Sequence, residues 1–193
     1  MSDNLSWESA LNKLKEGNSN FVSDRIDGVL DNYKTNEDMV KGQSPFAIIL
    51  SCADSRVVPE LVFDAGIGEI FVIRVAGNVS NTSSVASLEY AVAHLGVNLI
   101  LVLGHENCGA VSAAIGGGDN GHNLNHLLCH ITPALHACET NEVNDVVKVN
   151  AHLTCKQIVS KSAIVQSAVD SGKLKLVPGF YNLATGKVDF MES

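Results

Sequence analysis

Two short segments concentrate the residues able to do chemistry: Ser51-Cys52-Ala53-Asp54-Ser55-Arg56 and Gly104-His105-Glu106-Asn107-Cys108-Gly109. Together they offer two thiols, an imidazole, a carboxylate and a guanidinium. Cys2His is a ligand set that catalytic zinc sites use with the fourth tetrahedral position open, so the implied chemistry is hydrolysis or hydration. His105 and Cys108 are three residues apart at an expected strand-to-helix junction, and both can face one point. Unpaired N–H groups at the start of that helix favour thiolate, the form that binds metal. H-x-x-C alone is a weak signal, and buried cysteines beside a core histidine are its ordinary explanation. C-x-D-x-R behind a second strand makes the signal strong. Asp54 and Arg56 by themselves read as a surface ion pair of little worth. Beside a metal ligand, the Arg fork would orient the carboxylate and keep it ionised. The residues leave open whether Asp54 ligates the metal or accepts a hydrogen bond from a water on it.

Ligands so far apart in sequence converge only if the strands before them lie in one sheet. Residues 46–50 and 99–103 are short apolar runs that read as buried strands, and 70–75 is a third. If the runs are parallel, their carboxyl ends emerge at the edge where open α/β sheets place binding crevices. Val85, Leu88, Ala91, Val92 and Leu95 predict a helix over 83–95, making 70–103 a right-handed βαβ unit. Trp7, Ala10, Leu11 and Leu14 predict an N-terminal helix capped by Ser6 and stopped by Gly17. Residues 24–42 are polar and read as a surface connection with a short helix. Further helices are expected over 109–115, 123–138 and 142–169, the last ended by Gly172. Leu174, Leu176, Phe180, Val188 and Phe190 flank Asn182-Leu183-Ala184-Thr185-Gly186, a terminal hairpin. The fold class is α/β, a central mainly parallel sheet flanked by helices, with an N-terminal helical arm and a C-terminal β-hairpin. With no repeat or linker, residues 1–193 are expected to form one domain, arm 1–42 and catalytic core 43–193.

A chain of 193 residues can bury a core without disulfide staples. The formal charge of −8 argues against nucleic acid or an anionic membrane as the main partner. The N-terminus lacks the features of a secretory signal, and no apolar run approaches the ~20 residues of a membrane span. Five cysteines, an odd number without framework spacing, read as reduced thiols in a cytoplasmic protein.

C-x-D-S-R followed by G-H-x-x-C-G resembles the β-class carbonic anhydrases. The resemblance extends from Leu14-Lys15-Glu16-Gly17-Asn18 through Phe63-Asp64, Gly68, Phe71-Val72-Ile73-Arg74, Ala76-Gly77-Asn78 and Ser87-Leu88-Glu89-Tyr90-Ala91 to Cys108-Gly109-Ala110, Tyr181 and Thr185-Gly186-Lys187-Val188. It implies zinc held by Cys52, His105 and Cys108, with water or hydroxide in the fourth position. It implies that Asp54, oriented by Arg56, accepts a hydrogen bond from that water, and that carbon dioxide is hydrated reversibly to bicarbonate and a proton. Gln43 matches the position that donates to the substrate oxygen. Phe71 and Tyr90 match apolar walls, and Gly109 matches a residue whose N–H faces the site. Several walls come from a neighbouring subunit in the family, so a homodimer or dimer-based tetramer is implied, with the N-terminal helix across the partner.

Two departures stand out. Members that bind inhibitory bicarbonate carry Trp three residues before the first cysteine ligand; Ile49 is there in this chain, which predicts an open form without that switch, although Arg74 of the same pocket is present. Glu106 replaces a frequent Ser or Thr and reads as a partly exposed, non-ligating charge, with a part in proton transfer as the sharper reading. His94 reads as structural. His122, His126 and His130 recur at i, i+4, i+8 beside Cys129, a spacing that could hold a second metal on one helix face or supply a proton shuttle, but such repeats are often incidental and no carboxylate completes this one. Cys129, Cys138 and Cys155 read as ordinary thiols. Gly66-Ile67-Gly68 and Gly116-Gly117-Gly118 lack the context of nucleotide or phosphate loops. The competing readings are a carbonyl sulfide or carbon disulfide hydrolase on the same scaffold, and a non-catalytic zinc-binding or redox-sensing protein.

Overall fold

The computed structural model describes residues 5–26 and 40–192. The helices are α1 (Trp7–Val22), α2 (Pro59–Val62), α3 (Thr82–His94), α4 (Gly109–Gly116), α5 (His122–Leu128), α6 (Thr132–Ala137), α7 (Val143–Lys161) and α8 (Ala163–Asp170). The strands are β1 (Ala47–Ser51), β2 (Ile70–Arg74), β3 (Leu99–His105), β4 (Lys175–Tyr181) and β5 (Val188–Phe190). They form one sheet in the order β2-β1-β3-β4-β5. The first four are parallel and β5 runs antiparallel to β4. β1 and β3 are buried throughout, as central strands covered on both faces must be. Ser51 pairs with Leu103, so Cys52, just past the end of β1, and His105, the last residue of β3, emerge at one edge.

The expected β2–α3–β3 unit is parallel, but β1 lies between its two strands. The reason is burial: β1 is apolar on both faces, whereas β2 is half-exposed and carries Arg74 into solvent, as suits an edge. Alternation along the strands separates two apolar layers. Ala47, Ile49, Leu101 and Leu103 pack with Ala10 and Leu14 of α1 on one face. Ile48, Leu50, Ile100 and Val102 pack with Leu88 of α3 and Ala151 and Ile158 of α7 on the other. A third cluster, with Cys52, Cys108, Val79, Ile131, Val147 and Phe180, closes the carboxyl edge.

Ser6 caps α1 as expected, its hydroxyl accepting from Ser9 N–H at 3.3 Å. Gly17 does not end the helix, which continues to Val22. Its role is close approach: a Cβ there would lie 1.9 Å from the Phe63 carbonyl oxygen. Asn18, one residue on, donates to Val62 O and Gly186 O and accepts from Val188 N–H, fastening α1 to α2 and the hairpin. Of the apolar stripe of α1, Ala10 and Leu14 are wholly buried within this chain, while Trp7 and Leu11 are half-buried.

Two expected single helices are each divided. Residues 123–138 form α5 and α6, with Pro133 in the first turn of α6, where its missing N–H costs no helical bond. Residues 142–169 form α7 and α8, broken at Ser162, which is extended and caps α8 by accepting from Val165 N–H at 3.1 Å. Its buried hydroxyl donates to Glu89 Oε1 at 2.7 Å, a contact that sequence periodicity does not encode. The surface connection expected over 24–42 lies largely outside the described residues. No described helix is long and apolar enough to cross a membrane.

Candidate metal centre

Cys52 follows β1, His105 ends β3 and Cys108 caps α4, and all three are buried. Their ligand atoms lie within 4.8 Å of one another, the two Sγ atoms 4.0 Å apart. His105 Nδ1 is 2.9 Å from the Glu106 carbonyl oxygen, which can only accept, so the proton sits on Nδ1. Nε2 is left with a bare lone pair, buried and without a hydrogen-bond partner. An orphaned imidazole nitrogen beside two thiols is what a metal would satisfy, and sulfur with imidazole suits zinc. The residues fit the ion. Among the described residues no other group of three His, Cys, Asp or Glu side chains is close enough to hold one. His122 and His126 lie on α5 but His130 lies in the turn beyond it, so the histidine repeat does not share one helix face.

The two thiols form a coupled pair. A hydrogen bond from Cys108 pulls Cys52 well below its ordinary value, against burial, and Gly77 N–H adds by donating to Cys52 Sγ at 3.3 Å. The same contact, with burial, pushes Cys108 up, while the N–H groups of Val111 and Ala110 at the start of α4 pull the other way. A cation bound between them would allow both to ionise.

Arg56 forks onto Asp54, with Nε to Oδ1 at 2.9 Å and Nη2 to Oδ2 at 2.7 Å, and its own N–H reaches Oδ1 at 3.0 Å. These bonds hold the Asp54 carboxyl well below the usual range. Asp54 Oδ2 lies 3.8 Å from His105 Nε2, so the carboxylate borders the ligand cluster while its oxygens are engaged by Arg56. Arg74 reaches over from β2 and donates to Cys52 O at 3.0 Å and Asp54 O at 2.6 Å, pinning the turn that bears both. Gly109 opens α4 with nothing within 4 Å of where a Cβ would stand. Glu106 is half-buried and turned away, accepting from Leu183 N–H at 3.1 Å.

Gln43, Phe71 and Tyr90 do not reach this cluster within one chain. Phe71 pairs with Ile48, four residues before Cys52, a separation of about 13 Å along the strand. Tyr90 stands against Phe71 at 6.3 Å between ring centroids and against His94 at 5.3 Å. Gln43 precedes β1, at the opposite edge of the sheet from Cys52, and is exposed. Sequence reasoning missed Asn144 and Asn150 of α7, which bond to Asn107, between two of the ligands, and to Gly77, which contacts the third. Their only trace is a pair of small amides in a helix otherwise rich in Val and Lys.

A mainly parallel α/β sheet whose carboxyl edge gathers two thiols and an imidazole with an unpartnered Nε2 defines a metal-binding protein of the open-sheet class. Residues 47–188 match the sequence profile of the family described as carbonic anhydrase. Over 181 residues the chain is 34% identical to carbonic anhydrase 2 of Mycobacterium tuberculosis, covering 90% of this chain and 87% of that protein. The β-carbonic anhydrase CcaA superposes with a TM-score of 0.72 at 26% identity, over 95% of this chain and 99% of that one. A tetrameric β-carbonic anhydrase from Sordaria macrospora shares the fold with a TM-score of 0.75 at 21% identity, covering 96% and 98%. The chain belongs to the β-class carbonic anhydrase family and is an enzyme of the carbonate dehydratase type.

Proposed function

We propose that this chain catalyses the reversible hydration of carbon dioxide, with one zinc ion per chain held by Cys52, His105 and Cys108. Bound there, zinc supplies the Lewis acidity that lets a water lose its proton near neutral pH. Asp54 accepts a hydrogen bond from the reacting water, and that directs the oxygen lone pair at the carbon of carbon dioxide. Arg56 keeps Asp54 anionic and prevents it from turning onto the metal. The oxygen–carbon bond forms, bicarbonate leaves, and the proton departs to solvent. Gly109 N–H faces the pocket, and Gln43, Phe71 and Tyr90 complete its wall from the neighbouring subunit of a homodimer or dimer-based tetramer. In this reading residues 1–193 act as one catalytic domain in the cytoplasm.

The observation that carries the reading is the Arg56 fork on Asp54 beside an orphaned His105 Nε2. Arg74 is already committed to Cys52 O and Asp54 O, and Ile49 is buried in the core, which supports an open form without a bicarbonate switch. Stopped-flow hydration of carbon dioxide at pH 8.5 on protein of measured zinc content tests the reading. Hydration dependent on Cys52, His105 and Cys108 is expected; a zinc-replete sample without activity would sink it.

A further inference from the structure

Neither half of the metal centre is held by its own strand alone. Helix α7 packs against the carboxyl end of β3, and Gly104 permits the approach: a Cβ there would lie 2.7 Å from Val147 Cγ1. Three residues to either side of Val147, one side-chain amide reaches the turn that bears His105 and Cys108, and the other reaches Gly77, whose N–H contacts Cys52. Asn144 Oδ1 accepts from Asn107 N–H at 2.9 Å, between His105 and Cys108, where Asn107 holds left-handed backbone at φ 52°. The Asn107 carbonyl in turn accepts from Arg56 Nη2 at 3.4 Å. Asn150 is buried, and its Nδ2 donates to Gly77 O at 2.9 Å. Gly77 is the residue whose N–H meets Cys52 Sγ, and a side chain there would strike Ile131 at 2.8 Å. One site needs an acceptor and the other a donor, and an asparagine amide supplies either.

We propose that α7 is the positioning element of the metal centre. Asn144 and Asn150 fix the His105–Cys108 turn and the Gly77–Cys52 contact relative to one another. The ligand atoms are then held at binding separation before the ion arrives. The inference rests on the zinc reading of Cys52, His105 and Cys108. Both asparagines are positioning residues, because their amides touch backbone and not substrate. Outer partners of this kind set metal affinity by limiting what must be ordered on binding.

The test uses the full chain stripped of metal and titrated with zinc against a chromophoric chelator. Cobalt is titrated in parallel, because its thiolate-to-metal absorption reports sulfur ligation, and the melting temperature of the metal-free protein is the control for folding. Asn144→Ala and Asn150→Ala should each weaken zinc by about 10- to 100-fold and alter the cobalt–thiolate band. Asn144→Asp keeps the acceptor and should return affinity to within about threefold of the parent chain. Unchanged zinc affinity and cobalt spectra in the alanine variants, whatever their melting temperatures, overturn the proposal. So does an Asn144→Asp variant no better than Asn144→Ala, and this half-buried pair decides the matter alone if Asn150→Ala does not fold. Failure of the parent chain to bind either ion overturns the zinc reading and this inference together, and it is distinguishable because it does not depend on α7.

Discussion

At the scale of single residues, Asp54 carries the sharpest expectation. Its oxygens take three hydrogen bonds from Arg56, so it is built to stay ionised and oriented rather than to ligate. Asp54→Asn should lower kcat/KM for carbon dioxide hydration by about 100-fold or more while zinc content stays at the parent level. Loss of zinc from the purified variant would make Asp54 a ligand instead. Glu106 stands next to a ligand yet serves the hairpin, through Leu183 N–H. Glu106→Ala should cost about 1 kcal/mol in urea unfolding and leave zinc binding intact. A variant that unfolds at the parent urea concentration but has lost its zinc would favour a role in the metal site.

At the scale of elements, close approaches decide where helices sit. α1 reaches α2 only because Gly17 lacks a side chain. Gly17→Ala should therefore destabilise by about 3 kcal/mol, although alanine is the better helix former. A rise in the urea midpoint would contradict this packing. The turn between α5 and α6 has a pH signature. Burial, with Lys161 and His126 nearby, pulls His130 below the usual 6.5. Above pH about 6.5 the histidine is neutral in both states and nothing is lost. As pH falls below that value the unfolded chain takes up a proton that the folded chain resists, and stability declines. His130→Leu should flatten the loss of stability between pH 7 and pH 5, measured by urea midpoints. It should not abolish that loss, because His152 on α7 is shifted in the same direction by burial and Lys156. Equal slopes in variant and parent would refute the assignment.

At the scale of the whole molecule, the distance of Phe71 and Tyr90 from their own chain's ligands makes the site composite in the proposed dimer. His105→Ala and Tyr90→Ala should each be impaired alone. When the two are dissociated and reassociated in equal amounts, half the dimers are mixed and each holds one intact site, so roughly a quarter of the sites should recover. No recovery, with mixed dimers demonstrated by mass spectrometry, would mean that each chain completes its own site. Much of this was legible in the sequence. The ligand residues, the Asp54–Arg56 pair and the strands behind them follow from residue type and short-range periodicity, which are local properties. The N-cap of α1 and the terminal hairpin are local in the same sense. The insertion of β1 between β2 and β3 was not legible, because strand order follows from which strand is best buried on both faces. The breaks at Ser162 and before α6, and the passage of α1 through Gly17, depend on what each helix packs against. Nor could the sequence mark Asn144 and Asn150, whose amides find backbone 37 and 73 residues away. By itself, then, the sequence determined which atoms could bind and orient. Only the tertiary structure decided how they are held, because holding is done by contacts between segments that no local pattern connects.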